Sequence, residues 1–179
     1  MKMRREWAMP NADTFDCNPI GDFVQRYLAK STVSVDPFAR NKRLATHTND
    51  LNPATEAEHH MDAEDFVRML HVRGVTADLV IFDPPYSNEQ ISRSYRAAGF
   101  TPTMETTQNG AMYARVRDAI SEIVEPGGWV LSFGWNSGGM GKKRGFSLHE
   151  VLLVCHGGAH NDTICVAERC ERKQAALFP

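Results

Sequence analysis

The chain has 179 residues, a formal net charge of −2, and 42% hydrophobic and 23% charged residues. That length fits one domain whose core needs no staple, and the composition excludes a disordered chain. The near-neutral charge excludes a polycation that holds nucleic acid by bulk electrostatics, and no apolar run approaches the ~20 residues of a membrane span.

Met1 to Trp7 carries basic residues with no apolar stretch behind them, so it does not read as a signal peptide. Trp7 to Ile20 is rich in Pro, Asn and Asp and reads as an irregular arm. Phe23, Val24, Tyr27 and Leu28 fall at helical spacing and predict a short helix over 19–29. Thr32–Val35 is a β-branched strand that stops at Asp36-Pro37, and Leu44–Thr48 is a weaker strand ending at Asn49-Asp50. Residues 63–72 make a helix with Asp62 as its cap.

Ala77–Phe82 is the clearest strand, because Val80, Ile81 and Phe82 are consecutive apolar residues, as in a strand buried on both faces. Residues 88–98 predict a helix and 99–110 a loop. Ala111–Val124 is a helix ended by Pro126-Gly127-Gly128, and Trp129–Phe133 is the next strand. A glycine-rich basic loop spans 134–146. Glu150–Cys155 and Thr163–Ala167 then form a hairpin around Gly157 to Asp162.

Strands alternating with helices, closed by an antiparallel pair, predict an α/β three-layer fold. Ligands in such sheets bind at the carboxyl ends of the strands. Asp36, Asp50, Asp62 and Asp83 recur at those ends, which suggests one site built from several of them. Cys17, Cys155, Cys165 and Cys170 contain no C-x-x-C pair, which fits a reducing compartment. Cys155 and His156 are neighbours on a strand and point to opposite faces, so the late Cys/His cluster reads as buried strand residues and no metal is expected.

Asp83-Pro84-Pro85-Tyr86 follows the buried strand directly. It resembles motif IV of the amino-methyltransferases, above all the small phage-type adenine-N6 DNA methyltransferases, over Trp7 to Val166. The resemblance implies a Rossmann-like three-layer methyltransferase fold, with a mostly parallel sheet and a C-terminal antiparallel hairpin. It implies one domain over 1–179, with 1–31 as an arm and helix covering the cofactor. The cofactor implied is S-adenosylmethionine, and the target is the exocyclic amine of adenine in DNA. That amine is a poor nucleophile because its lone pair is delocalised. In the implied roles, Asp83 and the Pro84 carbonyl accept its two N–H bonds, Pro85 stiffens the turn, and Tyr86 stacks on the flipped base.

Val35-Asp36-Pro37-Phe38 resembles motif I, although Arg40 and Asn41 stand where that motif has its glycine turn. Asp50-Leu51 resembles the motif II acid that binds ribose hydroxyls, and Asp62-Ala63 the motif III pair that faces the cofactor's adenine, with Asp65 as a rival acid. Phe15 resembles the segment over the methionine end. Lys142, Lys143 and Arg144 read as phosphate contacts, extended by Arg93, Arg96, Lys42 and Arg43.

Residues 87–110 and 134–146 are left to read a target. Recognition is therefore expected to be short and relaxed, or shared with a second subunit of the same or another kind. The expected setting is the cytoplasm of a bacterial or phage-infected cell, away from membranes. Cytosine-N4 or RNA-adenine methylation shares the same chemistry. An idle nucleic-acid-binding subunit is the alternative that the missing glycines motivate, and a zinc-dependent interaction module rests on the late Cys/His cluster alone.

Overall fold

The computed structural model describes residues 1–103, 109–158 and 160–172. Its centre is a seven-stranded sheet in the order β1 (Lys2–Trp7), β6 (Phe146–Cys155), β7 (Thr163–Cys170), β5 (Val124–Gly134), β4 (Ala77–Phe82), β2 (Ser34–Asp36), β3 (His47–Thr48). Only β7 runs against its neighbours, pairing antiparallel with β5 and β6, while the other ladders are parallel. The mostly parallel sheet with its late antiparallel hairpin is the architecture expected.

The first strand, β1 (Lys2–Trp7), was not expected, because four of its six residues are charged. It lies at the sheet edge, where charge is tolerated and blocks further pairing. Its side chains tie it down: Arg4 Nε donates to Glu150 at 3.1 Å, and Arg5 Nε to the sulfur of Cys155 at 3.2 Å. The arm then makes one 3₁₀ turn at Thr14–Asp16 before α1 (Asn18–Leu28), which buries Ile20, Phe23 and Val24. A Cβ on Gly21 would stand 2.6 Å from the Phe15 carbonyl oxygen, so glycine lets the arm fold back onto the helix.

Two short strands follow, β2 (Ser34–Asp36) and β3 (His47–Thr48). Residues 37–46 join them without a helix, since ten residues are too few for a crossover. The Asp62 carboxylate caps α2 (Ala63–Val72) by accepting from the Glu64 N–H at 2.8 Å. The alternation of β4 (Ala77–Phe82) divides the core. Val80 and Phe82 join α2 and the later helix over Asn109–Ile123 on one face, and Leu79 and Ile81 join α1 on the other. A layer of helix therefore covers each side, as the consecutive apolar residues of β4 require.

A capping box between Ser87 and Gln90 starts α3 (Asn88–Ala97), which buries only Ile91. Residues 104–108 of the expected 99–110 loop lie outside the described residues. Next, α4 (Asn109–Ile123) passes directly into β5 (Val124–Gly134). Pro126-Gly127-Gly128 does not separate the two, as expected, but bulges within the strand. The ladder to β4 jumps from Ala77–Val124 to Leu79–Trp129, and Gly127 has a φ of 86°. The hairpin strands β6 (Phe146–Cys155) and β7 (Thr163–Cys170) are longer than read from sequence, because Phe146, Ser147 and Leu148 also pair with Cys170, Arg169 and Glu168. Among the described residues, no helix is long and apolar enough to cross a membrane.

Candidate active site

Strand β2 sits between β3 and β4, so the chain moves outward in opposite directions from the β2/β4 boundary. A cleft opens at such a switch point, beyond the carboxyl ends of the strands. Here it is a cavity of about 640 Å³. Ten of the residues singled out from sequence line it: Pro37, Phe38, Asp50, Leu51, Asp62, Ala63, Asp83, Pro84, Pro85 and Tyr86.

Asp36 lies beneath this cavity and is fully buried. One carboxylate oxygen accepts from the Phe38 N–H at 2.9 Å, and the other has no partner. Burial pushes this carboxyl well above the usual carboxylate range, and the charges of Asp83 and Asp50 push the same way. Asp50 accepts the backbone N–H groups of Arg40 at 3.1 Å and Asn52 at 2.8 Å. Arg40 takes the place of the absent glycine and has a φ of 52°, the left-handed conformation glycine would adopt there. Its guanidinium reaches Ala12 O at 3.0 Å and Asp13 at 2.9 Å, fastening the arm beside the cavity.

Sequence reasoning missed Asn49. Its buried side chain donates to Pro37 O and Met61 O and accepts from Met61 N–H, at 3.0–3.1 Å, joining the segments after β2 and β3 to the entry of α2. An Asn at a strand end reads as an ordinary turn residue, so nothing in the sequence marked it. Asp65, the rival to Asp62, is exposed. Phe15 does not line the cavity. It packs edge-on against Phe133 with centroids 5.3 Å apart, which corrects its reading as a cofactor contact to that of a core residue.

On the opposite wall, the Tyr86 hydroxyl donates to Asp83 Oδ1. Desolvation raises the Asp83 pKa, while hydrogen bonds from Tyr86 and Thr14 and the Arg40 charge oppose it. Tyr86 was expected to stack on a base. Here its hydroxyl covers the acid, and its ring lies 5.8 Å from that of Trp135. Gln90 Oε1 accepts from the N–H groups of Tyr86 and Ser87, so the start of α3 holds the turn. Tyr113, also missed, reaches over from α4 and donates to Pro85 O at 2.7 Å.

No protein-family model matches the chain, and no curated protein matches it. Similarity appears among solved structures. The N-methyltransferase NodS from Bradyrhizobium japonicum is 9% identical with a TM-score of 0.53, over 90% of this chain and 99% of that one. A SAM-dependent methyltransferase from Agrobacterium tumefaciens is 11% identical with a TM-score of 0.53, over 84% and 60%. NSun6 from Pyrococcus horikoshii is 14% identical with a TM-score of 0.53, over 83% and 50%. The fold is that of the Rossmann-like methyltransferases. The chain spans about half the length of several of the structures it matches, including NSun6 at 50% and TrmN from Thermus thermophilus at 48%.

Within this methyltransferase fold, the basic triplet is far from the cavity. Thr163 lines the cavity, while Cys170, seven residues along β7, pairs with Phe146 just after the triplet. At ~3.3 Å per residue the two ends are roughly 23 Å apart. Lys142–Arg144 forms a 3₁₀ turn at the amino edge of the parallel strands. Arg144 is committed to Asp118 at 2.7 Å and to the carbonyls of Met140 and Ala114. The loop's glycines serve an internal carboxylate: Glu168 accepts from Met140 and Gly141 N–H, and a Cβ on Gly139 would stand 1.9 Å from it. Arg144 is thus a structural anchor, while Lys142 and Lys143, read from sequence as phosphate contacts, are exposed at the far edge.

The late Cys/His cluster is internally partnered. His156 has both ring nitrogens bonded, to Ala8 O at 2.7 Å and Thr163 Oγ1 at 2.9 Å. Among the described residues, no group of three His, Cys, Asp or Glu could hold a metal ion.

Proposed function

We propose that this chain transfers a methyl group from S-adenosylmethionine to the exocyclic N6 amine of adenine in DNA. The observation that carries the reading is the placement of Asp83 in one cavity with Asp50 and Asp62, above the unpaired carboxylate oxygen of Asp36. Three acids lining one cavity favour a cationic ligand, and a sulfonium cofactor fits that demand. When bound, it supplies an electrophilic methyl group. The resemblance to NodS, an N-methyltransferase, supports the same class.

Asp50 would hold the ribose hydroxyls with the lone pairs its two backbone donors leave free. Asp62 and Ala63 would face the adenine ring, and Pro37 and Phe38 would flank the cofactor's middle. Residues 1–31 would form the cover, fastened through Arg40 to Ala12 and Asp13. The whole is one methyltransferase domain. Arg40 in the left-handed conformation makes the turn without glycine, which weighs against an idle subunit.

On the target side, Asp83 and the Pro84 carbonyl accept the two N–H bonds of the amine and localise its lone pair. Tyr86 must then swing from Asp83 toward Trp135, exchanging a hydrogen bond for a stack on the entering base. The proton freed after transfer passes to Asp83, whose raised pKa suits it to receive one, and then to water. Holding both reactants in register supplies much of the acceleration.

Transfer of labelled methyl to defined oligonucleotides, followed by nucleoside analysis, tests the reading. N6-methyladenine in DNA is the expected product. N4-methylcytosine, or label in RNA alone, would replace the target while keeping the chemistry.

A further inference from the structure

We propose that the nucleic acid taken up at this site is single-stranded, and that it lies along a row of aromatic side chains on the carboxyl edge of the sheet. The proposal rests on the reading above and narrows its substrate. Trp7 ends β1 and is 67% exposed, and Trp135 follows β5 and is 44% exposed. Trp135 lines the cavity, and Trp7 stands open on the same edge of the sheet. The strand order β1-β6-β7-β5-β4 sets Trp7, the β6–β7 turn, Trp135 and Tyr86 in sequence along that edge. With ~4.8 Å between strands, Trp7 and Trp135 are about 14 Å apart across the sheet, and Tyr86 is one strand further.

Trp7 is fixed in place. A Cβ on Gly157 would come within 2.8 Å of the Trp7 indole, so the ring lies directly on the turn backbone. Arg5 stands over the same ring at 6.0 Å, and Trp135 lies 5.8 Å from Tyr86. His160 and Asn161 of the turn line the cavity between the two tryptophans. Aromatic platforms of this kind hold unpaired bases by stacking, with little regard to sequence.

The charges argue against a duplex. A duplex demands cations along its phosphates. Three basic side chains near the cavity are already matched: Arg40 with Asp13 at 2.9 Å, Lys42 with Asp16 at 2.6 Å, and Arg93 with Glu89 at 3.0 Å. Lys142 and Lys143 are at the opposite edge. A single strand also presents its adenine without the cost of leaving a base pair.

The test uses the full chain with S-adenosylhomocysteine and labelled oligonucleotides of one sequence: single-stranded DNA, its duplex, and single-stranded RNA. Affinity is read by anisotropy at two salt concentrations, and methyl transfer in parallel. The single strand is expected to bind at least about tenfold tighter than the duplex. Trp7→Ala and Trp135→Ala are each expected to weaken it roughly fivefold or more, with Trp7→Tyr restoring affinity. Tighter binding of RNA than of DNA would support the single-strand surface and change only the sugar. Equal or tighter duplex binding, or tryptophan variants with unchanged affinity and intact melting, would overturn the proposal. A wild type that binds single strands but transfers no methyl would instead overturn the adenine reading and leave this surface standing.

Discussion

The hydroxyl of Tyr113 donates to the carbonyl oxygen of Pro85 across 2.7 Å. The same ring meets Phe38 and Phe82 edge-on, with centroids 6.3 and 6.2 Å away. One side chain of α4 therefore touches the loop after β2, the end of β4 and the turn that carries Asp83. Its hydrogen bond fixes the peptide next to the Pro84 carbonyl. Tyr113→Phe keeps the ring and removes that bond, worth about 1 kcal/mol. We expect kcat to fall roughly fivefold with cofactor affinity and KM unchanged. Steady-state kinetics with calorimetry checks this; a rise in KM alone would make Tyr113 a packing residue.

The buried Asp36 carboxyl has a sign that can be read from pH. Its folded pKa is raised above the ordinary 3.8, so the folded chain keeps a proton that the unfolded chain has lost. Stability should therefore fall as pH rises from about 3.8 through the folded pKa, and stay level above it. Asp36→Asn keeps the Phe38 contact and removes the charge, so it should flatten that slope and stabilise the ligand-free protein at neutral pH. It should also reduce the preference for S-adenosylmethionine over the uncharged thioether S-adenosylhomocysteine. Chemical unfolding from pH 4 to 8 and paired titrations provide the readouts.

The basic turn offers a contrast between neighbours. Lys142→Ala with Lys143→Ala should leave methyl transfer and nucleic-acid affinity unchanged. Arg144→Ala should lower stability by about 1–2 kcal/mol, through loss of Asp118 and two carbonyl contacts. A steep loss of nucleic-acid affinity in the double lysine variant would return the turn to the interface.

The edge strand depends on Glu150, which accepts from Arg4, Arg26 and Tyr27 at 3.0–3.3 Å. Glu150→Ala takes this acceptor from the Arg26 guanidinium and the Tyr27 hydroxyl, while Arg4 keeps Glu6 at 3.0 Å. A loss of about 2–3 kcal/mol is expected, with early exchange of β1 amides seen by hydrogen exchange.

The cavity was legible because the residues that line it are locally conspicuous. Acids at strand ends and a doubly apolar strand before Asp-Pro-Pro-Tyr announce a switch-point cleft from short-range pattern alone. Asp62 and α2 were read to the residue, since a capping acid and a helical stripe are both local signals. The misses are all non-local. Strand β1 looks like a charged tail until Glu150 is brought against it. Tyr113 and Asn49 act through backbone groups that are distant in sequence. The basic triplet misled because charge density is visible in a sequence, but the edge of the sheet on which it falls is not. Phe15 misled similarly: an aromatic in an arm can face a ligand or the core, and only the fold decides.

The central claim is that Asp83 receives the target amine beside a bound methyl donor. It is tested most directly by comparing wild type with Asp83→Asn for methyl transfer to single-stranded, adenine-containing DNA, with S-adenosylhomocysteine binding measured on the same samples. Wild type is expected to form N6-methyladenine, with transfer reduced at least about a thousandfold in the variant and binding within a few-fold of wild type. Near-native transfer by Asp83→Asn would contradict the claim.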